Sequence, residues 1–145
     1  MLSLGTSQKL MPGISKSRFT DYLKCPKLGY MSCYRERYAA LADPPSGMTK
    51  RLLEAGLLVG RIARERFPGG HLVSHELDLA AARAETDTVM ADPEVTHLFE
   101  ATFAREGLLS RADVVRKVGE REVDLIEVKA TNKFKKADHI PDVAF

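Results

Sequence analysis

Cysteine is scarce: only Cys25 and Cys33 occur in 145 residues. Two thiols cannot supply the four thiolates of a structural zinc or iron–sulfur site, and they give little reason to expect a disulfide scaffold. Charge of one sign is lacking too, with 22 Lys and Arg against 20 Asp and Glu and a formal surplus of +2. That surplus is too small to draw nucleic acid or a membrane by bulk charge, so any such partner must be held by a local patch. No apolar run approaches the roughly 18 residues of a membrane span, and Met1 to Gly13 lacks an apolar stretch between a basic start and a cleavage site. The chain is expected to be soluble and cytoplasmic, with no membrane partner. Its glycines form no phosphate-binding loop ahead of a helix, and no Ser/His/Asp or Cys/His set suggests nucleophilic catalysis. What is present is 44% hydrophobic side chains, near the ordinary globular level and enough for one buried core.

Residues 1–13 read as a flexible N-terminus and 14–145 as the folded part. Ser15 can accept from the open amides of a first helical turn, and Ile14 and Phe19 stand at the two positions of a hydrophobic staple, which predicts a short helix to about Lys24. Pro26 suits the first turn of a second helix, along which Tyr30, Tyr34 and Tyr38 recur every four residues. That stripe reads as core, with a stacking platform for nucleic acid as the alternative. After a break at Asp43-Pro44-Pro45-Ser46-Gly47, a helix over 49–67 carries Leu52, Ala55, Val59, Ile62 and Ala63 on one face. Gly56 and Gly60 lie one turn apart on it, and each costs about 1 kcal/mol relative to alanine. Such a pair implies close approach of another backbone, which is the first reading, or of a ligand. Pro68-Gly69-Gly70 stops this helix, and Asp78 caps another that runs to about Met90.

The periodicity then changes from 3.6 to 2. Val95, His97, Phe99, Ala101 and Phe103 alternate with Thr96, Leu98, Glu100 and Thr102, which predicts a strand with the first set on one face. Turns at Gly107 and Gly119 separate it from a second strand over 108–118 and a third over 122–130. The expected class is α+β: N-terminal helices, then a three-stranded antiparallel meander. A closing helix could begin at Asp138 or Pro141, but the sequence does not complete it.

Glu127 and Lys129 are two apart on the third strand, so both side chains leave the same face. The hairpin across Gly119 can bring Asp113 beside Glu127. Two carboxylates so placed repel strongly unless a cation sits between them, and oxygen ligands suit a hard ion such as Mg²⁺ or Mn²⁺. The plainer reading is that all three are solvent-facing residues of amphipathic strands. Lys129, Lys133, Lys135 and Lys136 bring four positive charges beside this constellation, either as contacts to DNA phosphates or as a solvated charge run. His71 and His75 flank the Pro-Gly-Gly turn, a weak basis for a metal pair, and His97 reads as a satisfied core residue.

Arg111-Ala112-Asp113-Val114 followed by Ile126-Glu127-Val128-Lys129 resembles two motifs of the PD-(D/E)XK nuclease superfamily. The Ser15-Lys16-Ser17-Arg18-Phe19 and Lys24-Cys25-Pro26-Lys27 segments are similar to its RecB-like branch, especially prokaryotic relatives with an iron–sulfur cluster. The resemblance implies a metal-dependent deoxyribonuclease with an αβββαβ, restriction-endonuclease-like core. In it Asp113, Glu127 and the Val128 carbonyl bind Mg²⁺ or Mn²⁺, Lys129 assists the attacking water, and Lys133, Lys135 and Lys136 contact DNA. His139 and Asp142 match residues near the same place in such relatives, with capping or supporting roles.

This sequence departs from the pattern in three places. Gly60 stands where RecB-like members offer a metal-binding histidine, and Glu100 is an acid that could substitute. The helix carrying a Gln and a Tyr is missing, so the core is incomplete, and the chain is expected to be an N-terminal fragment that needs a further C-terminal segment or a partner protein. Of the four cluster cysteines only Cys25 has a counterpart, so a [4Fe-4S] cluster is expected only in a longer form, and Cys33 reads as a small buried hydrophobe. The alternatives are a catalytically decayed nucleic-acid-binding or scaffold module, and a structural protein without a nucleic-acid role.

Overall fold

Ser15 caps α1 (Lys16–Lys24) as its position predicts, its Oγ accepting the Arg18 N–H at 3.4 Å. These coordinates are a computed structural model that describes residues 13–74 and 78–145; the expected flexible segment before residue 13, and His75, lie outside the described residues. Extended backbone at Cys25 ends α1, and Pro26 opens α2 (Pro26–Cys33). Buried Gly29 permits the close crossing of the two helices, since a Cβ there would stand 2.6 Å from the Tyr22 Cα.

At Tyr34 the helix gives way to a 3₁₀ segment, Arg35–Leu41. The tyrosines therefore do not form a core stripe: the Tyr30 ring lies 4.7 Å from Tyr34 and 6.1 Å from Tyr38, yet Tyr30 is exposed and none of the three is buried. Cys33 is half-buried rather than buried.

Ser46 caps the long helix α3 (Gly47–Glu65) by accepting the Thr49 N–H at 3.1 Å. Its apolar face differs from expectation. No residue of α3 is buried, and Leu52 and Ile62 are exposed. Around Gly56 there is open space, and near Gly60 a Cβ would meet only the Arg64 side chain at 3.9 Å, so among the described residues no backbone packs against this pair.

The helix α4 (Leu79–Ala91) starts at Asp78, whose carboxylate accepts the Ala80 and Ala81 N–H groups at 3.0 and 3.1 Å. Five strands form one mixed sheet: β1 (Ile14–Ser15), β2 (His71–Leu72), β3 (His97–Arg105), β4 (Leu108–Lys117) and β5 (Val123–Ile126). β3 pairs antiparallel with β4 and β4 with β5, while β1 joins β4 and β2 joins β3 in parallel. The class is α+β, and parallel β1 and β2 extend the antiparallel β3–β4–β5 run into a larger, mixed sheet. The third strand ends at Ile126, short of the expected residue 130, because the chain leaves the sheet at Glu127. The last helix, α5 (Lys136–Ala144), forms despite Pro141 inside it, and Phe145 beyond it stacks on Phe19 with ring centroids 5.0 Å apart. No helix among the described residues is long and apolar enough to cross a membrane.

The core lies between α4 and the sheet, where Val89 meets Leu98, Ala101 and Val115. Leu98 and Ala101 are three residues apart, so the alternation of β3 slips by one between them. The cause is Glu100, whose φ of 56° is left-handed and resets the phase. Phe103, expected on the core face, is exposed. Thr86 ties α4 to the strand: its Oγ1 donates to the Ala82 carbonyl at 2.8 Å and accepts the Thr102 N–H at 2.9 Å, both threonines being buried. Thr86→Val keeps the shape but orphans the Thr102 N–H. It is expected to lower unfolding free energy by about 1–3 kcal/mol, read from urea midpoints.

Candidate functional site

One edge of β4 is shared between two strands, β1 pairing at Leu108 and Leu109 and β5 at Val114 to Lys117, and these registers leave Ser110 to Asp113 between them. The chain departs from β1 at Lys16 and from β5 at Glu127, so both residues fall beside that gap. There Lys16 Nζ donates to Glu127 Oε2 at 2.8 Å, joining residues 111 positions apart. The other Glu127 oxygen accepts from Lys129 Nζ at 2.7 Å, and Lys129 also pairs with Asp142 Oδ2 of α5 at 2.5 Å.

One step beyond the last pair, Val114 with Ile126, the β4–β5 register sets Asp113 opposite Glu127. Asp113 Oδ2 accepts the Val128 N–H at 2.7 Å, which fastens the outgoing chain to β4. Burial foremost, and then the Glu127 charge, push the Asp113 carboxyl above its usual range, outweighing the Val128 hydrogen bond and the Lys16 and Lys129 charges. For Lys129 partial burial works against the charge, but the hydrogen bonds it donates to Asp142 and Glu127 more than offset it and hold the ammonium above the usual lysine range.

The remaining wall comes from α3. The β3–β4 register flanks Glu100 and Asp113 with the pairs Phe99–Val114 and Ala101–Ala112, which sets the two acids across from each other. With Val128, Gly56, Gly60 and Arg64 they line a cleft of about 90 Å³. The helix glycines thus leave space over an acidic cleft. A second, larger groove of about 810 Å³ opens between Glu127, Lys129 and α5, and Lys133 lines it. Lys135 and Lys136 are exposed at the start of α5.

These donors suit a hard divalent ion. Asp113, Glu127, Asp142 and Glu100 offer carboxylate oxygens, with Lys16, Lys129, Arg64 and Arg111 among them as counter-charges. Among the described residues no three His, Cys, Asp or Glu side chains are already gathered as an ion site. Mg²⁺ commonly takes one or two carboxylates and keeps several waters, so the set fits that mode. It does not fit an iron–sulfur cluster: Cys25 is exposed, Cys33 half-buried, and the chain holds no further thiol.

The histidines are otherwise engaged. His71 Nε2 bonds Glu85 Oε1 at 2.7 Å, His97 bonds Thr96 at 2.9 Å and lies against Phe67, and His139 Nδ1 accepts the Lys135 N–H at 3.3 Å at the start of α5. His75, the other member of the suggested pair with His71, lies outside the described residues. Lys16 escaped sequence reasoning as a site residue: it stood within a segment singled out for resemblance, but its role exists only once β1 pairs with β4. Comparison with protein-family models, with curated proteins and with solved structures gives no match.

Proposed function

We propose that this protein is a metal-dependent nuclease that hydrolyses phosphodiester bonds in DNA, with Asp113, Glu127 and Lys129 at its centre. The observation that carries the reading is the gap beside β4, where Glu127 stands across from a half-buried Asp113 and touches Lys129. A Mg²⁺ or Mn²⁺ ion bound there would lower the pKa of a water and polarise the phosphoryl oxygens. Asp113 and Glu127 would hold it, with the Val128 carbonyl and Glu100 as further oxygen donors. Lys129, kept charged by Asp142 and Glu127, orients the attacking water and meets the negative charge that grows on the phosphoryl centre. Lys133, Lys135 and Lys136 contact the sugar–phosphate backbone and so fix position without reading sequence.

One observation favours a second reading, a nucleic-acid-binding module whose site has decayed: Lys16 and Lys129 pair with both Glu127 oxygens. Calorimetric titration with Mn²⁺, combined with turnover of labelled single-stranded and duplex DNA, separates the two. The nuclease reading expects saturable binding and cleavage abolished by EDTA. Intact DNA with no Mn²⁺ binding transfers the protein to the second reading.

A further inference from the structure

We infer that α3 is a self-association surface, on which a second copy of this chain lays its own α3 antiparallel. The inference is independent of the nuclease reading and uses the side of the helix turned away from the acidic cleft.

Exposed apolar side chains are common in this structure, so exposure alone names no partner; their order along α3 does. Met48, Leu52, Ala55, Val59 and Ile62 are spaced by four, three, four and three residues, the alternation that keeps one seam facing another helix. On this seam Met48, Leu52 and Ile62 are 65%, 61% and 50% exposed, Ala55 is exposed, and only Val59 is half-buried. The cleft-lining residues Gly56, Leu57, Gly60 and Arg64 centre about 135° away around the helix at 3.6 residues per turn. A second helix can therefore occupy the seam while the cleft stays open.

The flanks of the seam select the partner and its direction. One flank carries Thr49, Gly56 and Ala63, small residues that let two backbones approach, and open space surrounds Gly56. The other carries Arg51, Leu58 and Glu65, all exposed. In an antiparallel pair Leu52 packs on the partner's Ile62 and Ala55 on the partner's Val59. That register sets Arg51 beside the partner's Glu65 and brings the two Leu58 side chains together at the symmetry axis. The twofold repeats every contact, so each helix supplies both signs of two ion pairs. A parallel pair would set Arg51 against Gly56 and leave both charges without a counter-charge. Among the described residues neither Arg51 nor Glu65 has an ion pair of its own to give up. A face whose apolar and charged residues complement their own reversed order is satisfied by a second copy of itself.

The seam is short, at the small end of stable interfaces, so a dimer dissociating in the range of about 1–100 µM is expected. Sedimentation equilibrium of the full chain, taken to several times the top of that range, should show a reversible monomer–dimer equilibrium. Leu52→Lys, a change at an exposed position of the monomer, should weaken it by at least about 100-fold while the far-UV circular dichroism of the dilute chain is kept. Arg51→Glu and Glu65→Arg each set like charges together twice, and each should weaken self-association by about 5- to 30-fold. Mixed in equal amounts, these two variants should recover the affinity of the unmutated chain to within about threefold, because every pair then joins opposite signs. A chain that stays monomeric throughout overturns the inference and leaves the seam to a different partner. An assembly larger than a dimer, a dimer untouched by Leu52→Lys, or a mixture no tighter than its components overturns it as well. Should Leu52→Lys lose helical signal, the mixture of charge variants decides alone.

Discussion

Asp113→Asn is expected to stabilise the metal-free protein while removing Mn²⁺ binding and DNA cleavage together. In the folded state the Asp113 carboxyl holds its proton more tightly than in the unfolded chain, chiefly because burial penalises the charge and then because Glu127 repels it. Above that raised pKa, ionised Asp113 works against the fold, and the cost is relieved as pH falls through the folded value. An amide oxygen at this position can still accept the Val128 N–H, so the chain leaving β5 stays fastened. The melting temperature at pH 7 should therefore rise, by about 2–4 °C for each kcal/mol recovered, and the gain should shrink as the pH is lowered toward the acid range. Losing a carboxylate ligand should cost about 10²–10⁴ in turnover, the scale on which a Lewis acid acts. A lower melting temperature at pH 7 would contradict the burial argument, and retained Mn²⁺ binding would contradict the metal assignment.

Lys129→Ala should divide the two functions that Asp113→Asn loses together. Lys129 supplies no metal ligand, and its removal releases Glu127 Oε1 from an ammonium 2.7 Å away, so Mn²⁺ affinity should be unchanged or tighter. Cleavage should fall by about 10²–10³, because the missing charge matters chiefly as the phosphoryl centre becomes more anionic. Asp142 and Glu127 keep the ammonium protonated above the usual lysine range despite partial burial. Its stabilising contribution is thus complete below the unfolded lysine pKa and lost only as the pH rises through the higher folded value. Wild-type turnover in Lys129→Ala would end the proposed role. Parallel Mn²⁺ titration of Lys16→Met is informative, since it frees the opposite oxygen and should tighten the ion in the same way.

Much of the local structure could be read from the sequence because its determinants are local. Ser15 and Asp78 cap the helices they precede, and the turns at Gly107 and Gly119 set the antiparallel pairings of β4. The apposition of Asp113 and Glu127 followed from the second of those turns. The rest depends on contacts that pattern does not encode. Periodicity states what a helix could bury, and α3 has the stripe without a partner among the described residues. The slip in β3 arises from one left-handed residue, Glu100, which alternation arithmetic passes over. The tyrosine spacing assumed a helix that stops at Tyr34. Lys16 reaches Glu127 through the parallel addition of a two-residue strand, too short to leave a periodic signal.

The missing burial along α3 governs how the cleft over Asp113 and Glu100 opens. A helix with no fully buried residue, half-buried only at Val59, Gly60, Ala63 and Arg64, leans heavily on its own hydrogen bonds and the Ser46 cap. Displacing or fraying it therefore costs far less free energy than unfolding α4 and the sheet, which are joined through Leu98, Ala101 and Val115. The acidic wall belongs to the sheet and the glycine-bearing wall to a helix with no buried residue, so the two sides of the cleft differ in how firmly packing holds them. Any occupant that bridges them converts part of its binding energy into helical order, and slower amide exchange along α3 would register its arrival.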